Sequence, residues 1–232
     1  MTRESFIDIF DAAERGSIED VRYFVEEQGT DVNAIDYHWG RSVLHFAAQK
    51  NAVEVFQYLV SRGADVHATD CSLYTPFHEA AWWNYGNIAV IQYLVSVGAD
   101  VNAQCAYGAT PIHKAVERNS LEVIQYLISQ GAKFDTNDLL YFAVKFNPLD
   151  VLLYIVSLGA DVHAECGEGD TLLHIAALSN SNVEVLKYLI SQGIDVHAKN
   201  DDGDTPLDLA SSEEKKQILR ETMGITGTAL EP

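Results

Sequence analysis

This chain repeats itself, and that constrains its fold more than any other feature. Six segments align: "SVLHFAAQKNAVEVFQYLVSRGADVHA" from Ser42, "TPFHEAAWWNYGNIAVIQYLVSVGADVNA" from Thr75, "TPIHKAVERNSLEVIQYLISQGAKFDT" from Thr110, "DLLYFAVKFNPLDVLLYIVSLGADVHA" from Asp138, "TLLHIAALSNSNVEVLKYLISQGIDVHA" from Thr171 and "TPLDLASSEEKKQILRE" from Thr205. Their starts are 33, 35, 28, 33 and 34 residues apart. A diverged copy, "FIDIFDAAERGSIEDVRYFVEEQGTDVNA", opens at Phe6. A period of this size means that one supersecondary unit is stacked many times, because a single short unit cannot bury its apolar face alone.

Each unit has a direct physical reading. Thr75 is a good helix N-cap, and Pro76 suits the first helical position, where no N–H is needed. A short helix follows, in which Ala80 and Ala81 are small enough for close helix contact. A polar connection leads to a second helix, "IAVIQYLVSV", whose Ile91, Leu94 and Val95 share a face. Gly98 supplies the left-handed turn that ends it. A short, turn-rich stretch, "ADVNAQCAYGA", leads to the next Thr-Pro. The predicted unit is loop, helix, turn, helix.

The T-P-x-H motifs at Thr75–His78 and Thr110–His113 (Thr75, Pro76, His78; Thr110, Pro111, His113), with G-A-D-V-[NH]-A at 63–68, 98–103 and 159–164, closely resemble the ankyrin repeat family over about residues 4–223. The resemblance implies an all-α ankyrin-repeat solenoid, with antiparallel helix pairs and a β-hairpin finger per repeat. It divides the chain into units at about 4–36, 37–70, 71–105, 106–135, 136–166, 167–200 and 201–223, with 224–232 as a tail. It also implies that His45, His78, His113 and His174, which share one repeat position, hydrogen-bond backbone and tie neighbouring units. The end units have the polar character of caps: the last reads as an amphipathic helix with Ser212 as N-cap and Gly224 as stop.

Departures from the repeat are informative. Unit five reads "AKFDTND" between Gly131 and Leu139, about five residues short of a full finger, and Thr-Pro-x-His is replaced by Asp138–Tyr141. Drift in a tolerant loop or a notch that shapes a groove would each account for this. Asn147 and Pro148 read as N-cap and first helical residue of that unit's second helix. Unit three instead carries two extra residues between its helices, preceded by Trp82 and Trp83, where other units hold Gln49-Lys50, Glu117-Arg118 and Leu178-Ser179. The resemblance places these positions on the concave, partner-binding face. The neighbouring hairpin-tip positions are Tyr37, His38 and Trp39, then Tyr74, then Tyr107. Tyr37, His38, Trp39, Tyr74, Trp82, Trp83 and Tyr107 are therefore the candidate partner-binding residues, since Trp and Tyr are enriched in binding hot spots. The alternative is that one Trp folds back on its helix pair.

With 34 Asp and Glu against 15 Lys and Arg, the net charge is −19, which opposes nucleic acid and anionic membranes. No apolar run approaches the ~20 residues that cross a bilayer, and the start lacks a secretory h-region. Cys71, Cys105 and Cys166 are odd in number and unpaired in spacing, which reads as reduced thiols in the cytoplasm, although secretion by a non-classical route stays open. His67, His163 and His197 recur in the hairpin stem; successive copies lie a layer apart, too far to ligate one ion. No nucleotide loop, Ser–His–Asp order or metal motif stands out, so no catalytic residue, metal or cofactor is expected. The expected function is that of a non-catalytic, monomeric protein-interaction scaffold, binding an unknown protein or peptide on the concave face of repeats two to four. An inhibitor or host-directed effector differs only in its partner. An enzyme with an unrecognised site is disfavoured, because the repeats use nearly every residue.

Overall fold

The structure is a computed structural model that describes residues 8–50, 52–83, 88–118, 121–146, 148–179 and 182–225. Expectations for residues 4–7, the extra residues after Trp83, Asn147 and most of the tail lie outside these. Thirteen α-helices are present among the described residues, in two compact units, Met1–Lys133 and Phe134–Pro232.

The first unit holds four helix pairs: α1 (Ile9–Arg15) with α2 (Ile18–Arg22), which widens into a π-turn over Tyr23–Glu27; α3 (Val43–Gln49) with α4 (Val53–Ser61); α5 (Pro76–Trp82) with α6 (Ala89–Ser96); and α7 (Pro111–Glu117) with α8 (Leu121–Ser129). The first helices form one layer, α1 against α3, α3 against α5, and α5 against α7. They approach through Ala12, Ala47, Ala80 and Ala115, all fully buried. Leu44, Phe56, Leu59, Phe77, Ile91, Leu94, Ile112, Ile124 and Leu127 fill the space between the layers.

The second unit contains α9 (Thr136–Phe146) with α10 (Leu149–Ser157), α11 (Leu172–Leu178) with α12 (Val183–Ser191), and α13 (Glu213–Thr222). Leu139, Leu140, Leu152, Ile155, Leu173, Leu186, Leu189 and Leu219 are its buried core.

The T-P-x-H motif is a capping box in which histidine takes the part usually played by glutamate. The hydroxyls of Ser42, Thr75, Thr110 and Thr171 cap their helices, and Nδ1 of His45, His78, His113 and His174 accepts the N-cap N–H at 3.0–3.1 Å. Because Nδ1 accepts, the ring proton sits on Nε2. It is donated to the next hairpin: His45 to the Tyr74 carbonyl (2.9 Å), His78 to Ala109 (3.1 Å) and His174 to Asp204 (3.1 Å). The hairpin stems are tied in the same way. Asn33 donates to the Gly63 carbonyl and accepts from the Asp65 N–H, while Asn102 donates to Gly131 and accepts from Lys133. Among the described residues the fingers carry isolated bridges, Ile35–Ser42 and Glu165–Thr171, rather than extended strands. Backbone bonds link their tips, from Cys71 N–H to the Trp39 carbonyl and from Ala106 N–H to Ser72.

The short finger of unit five is resolved by helix extension. Asp135 accepts from the N–H groups of Asn137 and Asp138, which starts α9 at once, and α9 runs 11 residues where α7 and α11 run 7. Asn137 then accepts from the Asp161 N–H, as Asn102 accepts from Lys133. Pro148 occupies the N-cap position of α10 with extended backbone, one position earlier than its sequence suggests. In the last unit Asp208 replaces histidine in the capping box, and residues 206–209 form turns in place of a first helix. Its helix α13 starts at the Ser212 cap, as expected.

Candidate functional site

An open cleft of about 290 Å³ lies on the layer of first helices, lined by Arg41, Gln49, Tyr74, Glu79, Trp82, Trp83 and Lys114, with His78 at its floor. Three of its members, Tyr74, Trp82 and Trp83, belong to the aromatic set expected from sequence. All three are half-buried. The other four, Tyr37, His38, Trp39 and Tyr107, are exposed at the hairpin tips and are not among the lining residues.

The helix register explains the arrangement. Trp82 ends α5 and Trp83 caps it, so both side chains leave the helix where its backbone hydrogen bonding stops. Trp83 turns back by one helical turn, and its Nε1–H donates to Glu79 Oε2 at 2.9 Å. Gln49, from α3, donates to the same oxygen at 3.1 Å. Burial pushes the Glu79 carboxyl up in pKa, while these two donors pull it back. Tyr74 packs edge-on to His78, with ring centres 5.4 Å apart. Its phenol is pushed well up, by burial first and then by Cys105.

The faces of the rings carry cations. Lys114 Nζ lies 4.7 Å from the Trp82 ring centre and 5.3 Å from Tyr74, and also pairs with Glu117 at 3.1 Å. The Arg118 guanidinium carbon lies 4.2 Å from Trp82 and 5.2 Å from Trp83. Arg41 pairs with Asp36 at 3.6 Å and covers Phe46 at 4.2 Å; its buried Nε has no partner among the described residues. Each such cation–π contact contributes roughly 0.5–2 kcal/mol, depending on desolvation.

The sequence reading missed Lys114 and Arg118 as site residues. A usable signal existed. Glu117-Arg118 occupies the repeat position that Trp82-Trp83 occupies one unit earlier. Equivalent positions in consecutive repeats become neighbours on stacking, so Arg118 was bound to meet a tryptophan.

Cys71, Cys105 and Cys166 are free thiols. His67, His163 and His197 are exposed in the stems, and among the described residues no group of His, Cys, Asp and Glu could hold a metal. Among the described residues no helix is long and apolar enough to cross a membrane.

A family model described as ankyrin repeats (3 copies) matches residues 9–105, 74–138 and 140–221. The chain belongs to the ankyrin repeat family. The human ASB11 ankyrin repeat domain is similar in structure, with TM-score 0.74, 28% identity, and coverage of 95% of this chain and 98% of that one. The ankyrin repeat domain of Bcl-3, described as a unique member of the IkappaB protein family, aligns with TM-score 0.60 and 26% identity over 93% of this chain and 99% of its own. In sequence, a 2-5A-dependent ribonuclease from Mus musculus is 36% identical over 66 residues, which is 28% of this chain and 9% of the ribonuclease. The fold is thus a helical, solenoid-like ankyrin repeat domain. Domains of this family are generally protein–protein interaction modules and typically non-catalytic.

Proposed function

We propose that this protein is a non-catalytic, monomeric interaction scaffold of seven units that binds a protein or peptide across units two to four. The contact face carries the first helices and the hairpin tips. The observation behind this reading is the cleft in which Tyr74, Trp82 and Trp83 are only half-buried around open volume. Large rings left part-solvated have area still to bury, and they lose little rotamer freedom in doing so. Exposed Tyr37, His38 and Trp39 on one finger and Tyr107 on another would extend contact to the tips. The acidic surface serves as a rim, acting mainly on association rate and salt dependence.

The test is capture from the lysate of the native cell, with the wild type compared against Trp82→Ala/Trp83→Ala. Circular dichroism and melting establish that both are folded. A partner retained by the wild type and lost by the double variant is the expected result. Identical partners on both proteins would refute the assignment of this cleft.

A further inference from the structure

Building on the cleft reading above, we infer that Arg118, which lies over the rings of Trp82 and Trp83, is the anchor for an aspartate or glutamate carboxylate of the bound peptide, whose neighbouring apolar residue enters the cleft.

Three observations lead there. The first concerns the rings. Their faces are already covered by this chain's own cations, Lys114 over Trp82 and Tyr74, and Arg118 over Trp82 and Trp83. A cationic partner would have to displace them, and would meet three positive side chains, Arg41, Lys114 and Arg118. An anionic partner meets no such obstacle. In a chain of net charge −19 with 15 Lys and Arg in all, Arg41 and Lys114 line this one small cleft and Arg118 lies beside it over the tryptophans.

The second observation is that the carboxylate in the cleft, Glu79, and those beside its two lining cations are already engaged. Glu79 accepts from Trp83 and Gln49, Glu117 holds Lys114, and Asp36 holds Arg41. Among the described residues, none lies within ion-pairing distance of Arg118. Arg118 is the cation left to pair with a visitor, and it is exposed.

The third is geometry. A guanidinium lying against an aromatic face engages that face through its π-surface and keeps its edge N–H donors available. Those donors form a rigid fork that matches a carboxylate in two parallel hydrogen bonds. Contact with two indole rings restricts the Arg118 head group before the partner arrives, so less side-chain entropy is lost on binding. Lysine at this position would keep the charge and lose the fork.

The experiment selects a library of random linear peptides against the full-length protein. The tightest binder is then titrated by fluorescence anisotropy, alongside its counterpart with Asp and Glu changed to Asn and Gln. The targets are wild type, Arg118→Lys, Arg118→Glu and Trp82→Ala/Trp83→Ala, each checked by circular dichroism. Enrichment of Asp or Glu beside an apolar residue is expected. Binding should fall roughly tenfold or more with Arg118→Glu or with the amide counterpart, and a few-fold with Arg118→Lys. It should also weaken between about 0.05 and about 0.5 M NaCl. Binders lost on Trp82→Ala/Trp83→Ala but indifferent to Arg118→Glu and to the amide counterpart would overturn this inference and leave the cleft reading standing. Binders indifferent to every variant would overturn both.

Discussion

Acidification should loosen the protein through the capping histidines, and His78 allows the size to be worked out. Its side chain is 1% exposed. Burial, assisted by nearby Lys114, lowers its pKa from 6.5 to about 4, against the opposing pull of its bond to the Ala109 carbonyl. The geometry explains why the ring resists a second proton: Nδ1 accepts the Thr75 N–H, so protonation there would set two donors face to face. The unfolded chain binds a proton near 6.5 and the folded one only near 4. Stability is therefore fully present above about 6.5 and is lost as pH falls toward 4. A gap of about 2.5 pKa units corresponds to roughly 3 kcal/mol, at about 1.4 kcal/mol per pH unit within the window. That is a large share of a stability of about 5–15 kcal/mol. His45, lowered by burial as well, adds in the same direction. Glu79, raised by burial, acts in the opposite sense. The assay is urea unfolding at several pH values between about 7.5 and 5 for wild type and His78→Gln. The difference between the two cancels Glu79; it should stay nearly constant above about 6.5 and shrink below that by about 1.4 kcal/mol per unit of acidification. A two-dimensional NMR titration of the His78 ring, followed in the folded state, reads its pKa directly. A midpoint near 6.5 without unfolding would refute the reasoning.

Other consequences follow from individual contacts. Leu73 holds φ 61°, a left-handed conformation that disfavours a branched side chain, and it is exposed at a hairpin tip. Leu73→Gly should therefore raise stability by about 0.5–1 kcal/mol, measurable as a higher denaturant midpoint with unchanged slope. Asn102→Ala removes both bonds that link its stem to Gly131 and Lys133, and should cost about 1–2 kcal/mol in the same assay. Lys215 is 2% exposed, with Nζ donating to the Ala177 carbonyl at 2.8 Å and to Ser211 at 2.9 Å, and burial lowers its pKa. Since the folded chain gives up this proton before the unfolded one, the contribution of Lys215 should grow as pH climbs toward 10.5, read as a wild-type stability that gains on Lys215→Met over that range.

The candidate site was legible in part. Trp82 and Trp83 stood out because a repeat specifies what belongs at a position, and two indoles do not belong where other units carry Gln-Lys or Leu-Ser. The hairpin-tip aromatics were found on the same grounds, yet of these the structure brings Tyr74 into the cleft with Trp82 and Trp83 and leaves Tyr37, Trp39 and Tyr107 outside its lining. Sequence position sets the unit to which a ring belongs. It does not set which way the ring turns, and Trp83 turns toward Glu79 because a half-buried carboxylate there accepts its N–H.

The sequence alone determined the architecture. A period near 33 residues, Thr-Pro starts, paired alanines and glycine stops are local chemistry repeated many times, and each copy reinforces the same reading. It also exposed the deficit in unit five by counting. Only tertiary structure decided how the deficit is met, with α9 lengthening from the Asp135 cap in place of a finger. Only tertiary structure likewise put the cations of α7 and its C-cap over the tryptophans of α5. Helix and turn signals act within a few residues of one another. The cleft depends on contacts between side chains about 30 residues apart, whose meeting is fixed by how one unit packs on the next.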